Sequence, residues 1–113
     1  MKARDGTAAV ALEPPIQAMI DATNDADSAR LLAAFADDAV LTDWGRTFSG
    51  KQAIARWNAD ENIGTHNRLR VTDVRRTGRA VQVRVDVSGG GYNGEGTLTF
   101  HVDGPLITRL DIT

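Results

Sequence analysis

The chain has 113 residues, with 13 Lys and Arg against 15 Asp and Glu, a net charge of −2 at pH 7. That length fits one domain, and the slightly acidic balance supplies no field to hold a nucleic acid. With no cysteine, disulfides, thiolate metal sites and thiol nucleophiles are excluded and a cytoplasmic setting is expected. No apolar run reaches the roughly 20 residues that span a bilayer, so no membrane partner is expected.

Residues 1–12 read as a loose N-terminal arm, because Asp5 interrupts a weak apolar stretch that does not suit a signal peptide. A single domain is expected over 13–113. Ile16, Met19, Ile20 and Thr23 recur at helical spacing and predict a first helix, with Pro15 in its opening turn. Asp27 or Ser28 then caps a second helix, expected to run through SARLLAAFADD with Leu31, Leu32 and Phe35 inward. A short extended piece, AVLTDWGRTFSG, follows. Ser49 and Gln52 form a capping-box pattern for a third helix that carries Ile54 and Trp57.

After Gly64 the apolar period changes from 3.6 to 2. HNRLRVTDVRR predicts one strand. RAVQVRVDVS predicts the next, with Val81, Val83, Val85 and Val87 on one face. GTLTFHV repeats the alternation with Leu98, Phe100 and Val102, and PLITRLDIT makes a last strand. Short turns at RTGR, SGGGYNGEG and DGP join them into an antiparallel meander. Helices first and strands afterwards is the α+β class, and the helices are the only cover for the sheet's apolar face.

Several motifs fail on context. Gly89 to Gly94 spells G-x-G-x-x-G, but a dinucleotide fingerprint must open a helix, and TLTFHV is a strand pattern. His66 and His101 are the only imidazoles and have no metal-ligand spacing. A calcium loop starting at Asp25 needs Gly sixth and Glu twelfth, where Arg30 and Ala36 stand. No G-x-S-x-G elbow is present. Neither a metal nor a cofactor is expected.

Asp43 is the residue that asks for an account. It follows Val40 and Leu41 and precedes Trp44, where a strand core carries aliphatic residues. Either it faces a pocket walled by Trp44 and Trp57, where desolvation disfavours its charge and poises it to take a proton, or it bonds backbone in the Trp44-Gly45-Arg46 turn or pairs with Arg46.

Phe35-Ala36-Asp37-Asp38-Ala39 and Gly50-Lys51-Gln52-Ala53-Ile54, with this order of elements, resemble the nuclear transport factor 2-like superfamily, in the branch of SnoaL-like polyketide cyclases and ketosteroid isomerases. The resemblance implies a cystatin-like cone: three N-terminal helices packed on a curved antiparallel sheet that encloses an apolar pocket. It also implies a homodimer paired through the outer sheet face, here carrying Arg84, Asp86, Thr99, His101, Arg109 and Asp111. The isomerases keep their general base nine residues along from the aromatic, and Asp43 is ninth counting from Phe35. Their oxyanion partners have no counterpart: Met19 stands at the tyrosine position, and Leu98, Phe100 and Val102 form the inward face of the strand that bears the acid. Two functions follow from the resemblance. One is an enzyme using Asp43 as base on an apolar carbonyl compound, with Met19, Phe35, Trp44, Trp57, His66, Leu98 and Phe100 around the pocket. The other is a non-catalytic module that binds a small hydrophobic molecule or a partner chain.

Overall fold

The computed structural model describes residues 11–113, so most of the expected 1–12 arm lies outside the described residues. Of that arm, Ala11 gives its carbonyl to Arg76 Nη2 at 2.8 Å and Leu12 packs half-buried against the core.

Helix α1 (Pro14–Asn24) opens on two prolines and buries Ile16, Met19, Ile20 and Thr23 along one stripe. Its end is pinned by Asn24, whose side chain imitates a strand: Nδ2 donates to Leu69 O at 2.9 Å, and Oδ1 accepts from Leu69 N–H at 2.7 Å. Helix α2 (Ser28–Ala33) is capped by Asp27, which accepts the Arg30 N–H at 3.0 Å. That bond satisfies one of the orphan donors of the first turn.

The second helix is shorter than the sequence predicts. It stops at Ala33, and Phe35 begins strand β1 (Phe35–Asp43). Leu31, Leu32 and Phe35 fit helical spacing, yet Phe35, Ala39 and Leu41 are the residues of β1 buried on its inner side. Long-range pairing decides the conflict: Phe35 lies beside Ile107, and the Ile107 N–H donates to Ala34 O at 2.8 Å. Strand β2 (Arg46–Ser49) returns alongside β1. Helix α3 (Lys51–Trp57) follows, with Gly50 at its N-cap and no side-chain cap. The expected capping box does not form, because Ser49 is still paired to Val40 in the sheet.

A single wide turn of π-helix (Asn58–Asn62) and a tight turn (Ile63–Thr65) lead to the strands. Gly64 is required there, since a β-carbon at that position would lie 1.6 Å from Ala59 O. The strands are β3 (Arg68–Thr77), β4 (Ala80–Ser88), β5 (Gly94–Asp103) and β6 (Leu106–Ile112). The sheet order is β2-β1-β6-β5-β4-β3. Every pairing is antiparallel except β1 with β6, which is parallel. The sheet is therefore mixed rather than wholly antiparallel: the last strand runs in the direction of β1, and α3 with the meander supplies the long crossover that a parallel neighbour needs.

The three helices cover one face of this sheet, as the α+β class requires. Val81, Val83, Val85, Leu98 and Phe100 are buried against them, while Val87 and Val102 are half-buried. Val83, Leu98, Ile112 and Asp43 stand in one row across four strands, and Val81, Phe100, Leu110 and Leu41 in the next. Asp43 thus holds an inward position. No described helix is long and apolar enough to cross a membrane.

Candidate functional site

A cavity of about 340 Å³ opens between the end of β1, the end of α3 and the β4–β5 loop. That volume is at the small end of the roughly 300–1,000 Å³ typical of small-molecule sites. Met19, Trp57, Leu69, Leu98 and Ile112 form apolar wall, and Asp43, Arg46 and Glu61 supply the charge.

Asp43 enters the cavity because strand alternation from Leu41 carries it to the inner face. The next two residues, Trp44 and Gly45, form the tight connection to β2, with φ of 50° and 85°. Left-handed φ at both central positions is the geometry of a type I′ hairpin, and tryptophan is an unusual residue to hold it. The turn brings Arg46 opposite Asp43.

Asp43 combines a cavity position with a pair to Arg46. It lines the cavity, and its side chain is 16% exposed. Its Oδ2 also accepts Trp57 Nε1–H at 3.0 Å and Arg46 Nη2–H at 3.2 Å. Arg46 gives its main fork to Glu61, with Nη1 to Oε2 at 2.8 Å and Nη2 to Oε1 at 2.5 Å. Among the described residues no donor reaches Asp43 Oδ1. The carboxylate has one oxygen that holds the wall and one that is unpaired.

The remaining polar groups of the wall bond to one another. Asn62 is 2% exposed; its Nδ2 donates to Thr23 Oγ1 at 3.1 Å and Asn58 Oδ1 at 3.0 Å, and its Oδ1 accepts from Asn67 Nδ2 at 3.2 Å. Thr65 Oγ1 reaches the carbonyls of Glu61 and Asn62 at 3.1 and 3.0 Å. Such a closed network rigidifies one side of the cavity.

Five of the residues expected around a pocket meet there: Asp43, Met19, Trp44, Trp57 and Leu98. Three do not. Phe35 is fully buried at the far end of β1, eight residues from Asp43, which at about 3.3 Å per residue places it well away from the cavity. Phe100 is fully buried in the row of Leu41 and Leu110, two residues along β5 from the row that holds Asp43. His66 is exposed, in a left-handed conformation (φ 58°) just after the tight turn, and lies outside the lining.

Arg46 stands where the sequence reading put it, as the partner of Asp43 across a two-residue turn. The structure also adds residues that sequence reasoning passed over. Glu61 is one, since only the π-helical turn brings it to Arg46. Tyr92 sits in the glycine-rich β4–β5 loop and lines the cavity with Gly91. Its hydroxyl donates to Glu95 O at 2.8 Å. Gly94 makes room for it, because a β-carbon there would meet the Tyr92 hydroxyl at 2.7 Å. The loop leads into β5 and not a helix, so it lacks the dinucleotide-binding context. Among the described residues no group of three His, Asp or Glu is placed to hold a metal.

Arginine contacts set the electrostatics. The hydrogen bond from Arg46 holds the Glu61 carboxyl below the ordinary value of 4.5. Arg76 does the same for Glu13. Burial pushes Asp111 up, but the bonds from Arg109 and Thr42 outweigh it and leave the group low. A carboxylate lowered in the folded state adds stability above its unfolded value and loses it as pH falls through its folded value. Denaturant midpoints are therefore expected to be level between about pH 7 and 5 and to fall below about pH 4.5. A midpoint that rises between pH 5 and 3.5 contradicts the ion-pair geometry. The effect is small, because these pairs are partly exposed and screened.

Comparison with known proteins agrees with this architecture. Among curated proteins, none matches the sequence. A solved candidate polyketide cyclase from Sinorhizobium meliloti is 29% identical with a TM-score of 0.82, covering 90% of this chain and 95% of its own. An uncharacterised cystatin-fold protein from Novosphingobium aromaticivorans is 20% identical with a TM-score of 0.75, over 88% of this chain and 94% of its own. A Mycobacterium tuberculosis protein solved with estradiol-17β-hemisuccinate is 18% identical with a TM-score of 0.75, over 87% of this chain and 88% of its own. The family model described as a SnoaL-like domain matches residues 16–110. With nearly the whole described chain inside that match, and with the cone and its cavity in place, this protein belongs to the SnoaL-like domain family of the nuclear transport factor 2-like superfamily.

Proposed function

We propose that the chain binds a small, largely apolar molecule in this cavity and acts on it by proton transfer, in the manner of an isomerase or cyclase. Asp43 is the base, on a carbonyl compound whose acidic C–H lies against Oδ1. The observation that carries the reading is a carboxylate on an inward strand row whose second oxygen is fixed by Trp57 and Arg46, which leaves the first to accept a proton. A structural neighbour that holds a steroid ester supports the use of this fold for apolar molecules.

The test is exchange of the α-hydrogens of β-tetralone in deuterated buffer, followed by proton NMR. Exchange faster than buffer alone, dependent on Asp43, is the expected result. One observation favours a second reading, in which the cavity binds without chemistry. The wall's buried side-chain donors are bonded to other protein groups, so an enolate oxygen has no buried donor to hold it, and that stabilisation is usually the largest catalytic term. Binding of β-tetralone with no exchange selects the second reading.

The same proposal includes pairing of two copies through the outer sheet face. There Gln82, Thr99, Asp111 and Thr42 form a row of short or neutral side chains with a single carboxylate, and Arg109 binds that carboxylate at 2.9 Å. A self-complementary patch of this kind suits a two-fold interface, expected at about 1,600 Å². Light scattering at micromolar concentration should give twice the chain mass, and Thr99→Arg should reduce it to one. A single-chain mass for the unaltered protein removes the claim. A cytoplasmic location is proposed on the absence of cysteine.

A further inference from the structure

The cavity has an imbalance that its apolar lining hides. Its walls offer an unpaired carboxylate oxygen, while their buried side-chain donors are bonded within the protein. Trp57 Nε1–H is given to Asp43 at 3.0 Å. Both Nδ2 hydrogens of Asn62 go to Thr23 and Asn58, Asn67 Nδ2 goes to Glu61 O at 3.3 Å and to Asn62 Oδ1, and the Tyr92 hydroxyl goes to Glu95 O. Arg46 turns both terminal nitrogens to carboxylates, and the side-chain donors left without a partner among the described residues are its remaining N–H groups and the indole N–H of the exposed Trp44. Against this, Asp43 Oδ1 is unpaired among the described residues. A ligand that brings a donor or a positive charge finds the carboxylate.

The charge count points the same way. Asp43, Glu61 and Arg46 line the cavity, so their sum is one negative charge. Arg46 and Glu61 cancel through a two-pronged pair, and the residual charge falls on Asp43, whose single bond from Arg46 is the longest of the three, at 3.2 Å.

The aromatic residues complete the pattern. Both tryptophans and the only tyrosine of the chain line this one cavity. Trp57 is buried, while Trp44 and Tyr92, 71% and 57% exposed, are the large exposed hydrophobic residues of the described chain. An exposed tryptophan held at positive φ and an exposed tyrosine seated over a glycine both line the cavity from its open side. Aromatic faces around a carboxylate attract cations, because the ring quadrupole and the charge act together in a partly dry site.

We infer that the ligand of this cavity is a cation with an apolar body, such as a protonated or quaternary amine, with its charge set between Asp43 and the Trp44–Tyr92 pair. The inference rests on the reading of the cavity as a small-molecule site and adds its charge class. It applies whether or not the bound molecule is then transformed.

Three probes of one shape test it: benzyltrimethylammonium, its neutral carbon isostere neopentylbenzene, and the anion benzylsulfonate. Each is titrated while the two tryptophan indole N–H signals are followed by NMR. The cation is expected to bind about tenfold or more tightly than either other probe. Asp43→Asn should bring the cation within about twofold of the neutral probe. Tyr92→Leu, at an exposed position away from the core, should weaken the cation alone. If the neutral probe binds as well as the cation, or if the preference survives Asp43→Asn, the charge assignment is overturned while the small-molecule site stands. If no probe moves either indole signal, both are overturned.

Discussion

Asp43→Asn should lower α-proton exchange of β-tetralone by about 10²–10⁴-fold and leave binding of the ketone in place. An amide oxygen is far too weak a base to take a carbon-bound proton, yet it fills the same space. The Asn oxygen can still accept Trp57 Nε1–H, so the wall of the cavity keeps its shape. Asp43→Leu is the informative companion. It leaves the Trp57 indole N–H, on a side chain only 4% exposed, without its acceptor, an omission that costs about 1–3 kcal/mol. A structural role for Asp43 therefore appears in the leucine variant, and a chemical one in the asparagine variant. Equal exchange rates for the unaltered protein and Asp43→Asn would remove the base assignment, whatever the leucine variant does to stability.

Phe35→Ala should destabilise the fold by about 3–5 kcal/mol, the cost of deleting a buried aromatic ring and leaving a void. Against a total stability of about 5–15 kcal/mol, that is a large share. Phe35 is fully buried and anchors the start of β1 against Ile107, so the loss should appear in the urea midpoint with the cavity's ligand affinity unchanged below the transition. Trp44→Ala should do the reverse. At 71% exposure it should change stability by no more than about 0.5 kcal/mol while weakening ligands at the mouth. A Phe35→Ala protein of normal stability with altered ligand binding would mean that the cavity extends past the Phe100 row.

Local pattern carried much of this structure. The stripe of Ile16, Met19, Ile20 and Thr23 defined the buried face of α1, because helical spacing leaves those side chains one way to turn. The valines of β4 and the Leu98–Phe100 pair of β5 defined the inner face of the sheet, because a strand alternates sides at every residue. The same alternation, counted from Leu41, is enough to turn Asp43 inward. Helices before strands gave the α+β class, and Phe35 to Ala39 with Gly50 to Ile54 gave the family.

Other features depend on residues distant in sequence, and no local spacing encodes them. Leu31, Leu32 and Phe35 satisfy a helix as well as Phe35, Ala39 and Leu41 satisfy a strand, and only the pairing with Ile107 chooses between them. The parallel match of β1 to β6 follows from where the meander ends, not from either strand's composition. Register separates Leu98 from Phe100: both face inward, but the row through Ile112 reaches Asp43 and the row through Leu110 reaches Leu41. Glu61 meets Arg46 through a turn of π-helix, and Tyr92 reaches the cavity on a loop whose glycines read only as a turn. The sequence by itself determined which side of each element is apolar, since that depends on neighbours along the chain. The tertiary structure decided which of those inward residues surround empty space and which are packed solid, since that depends on where strands and loops from opposite ends of the chain come together.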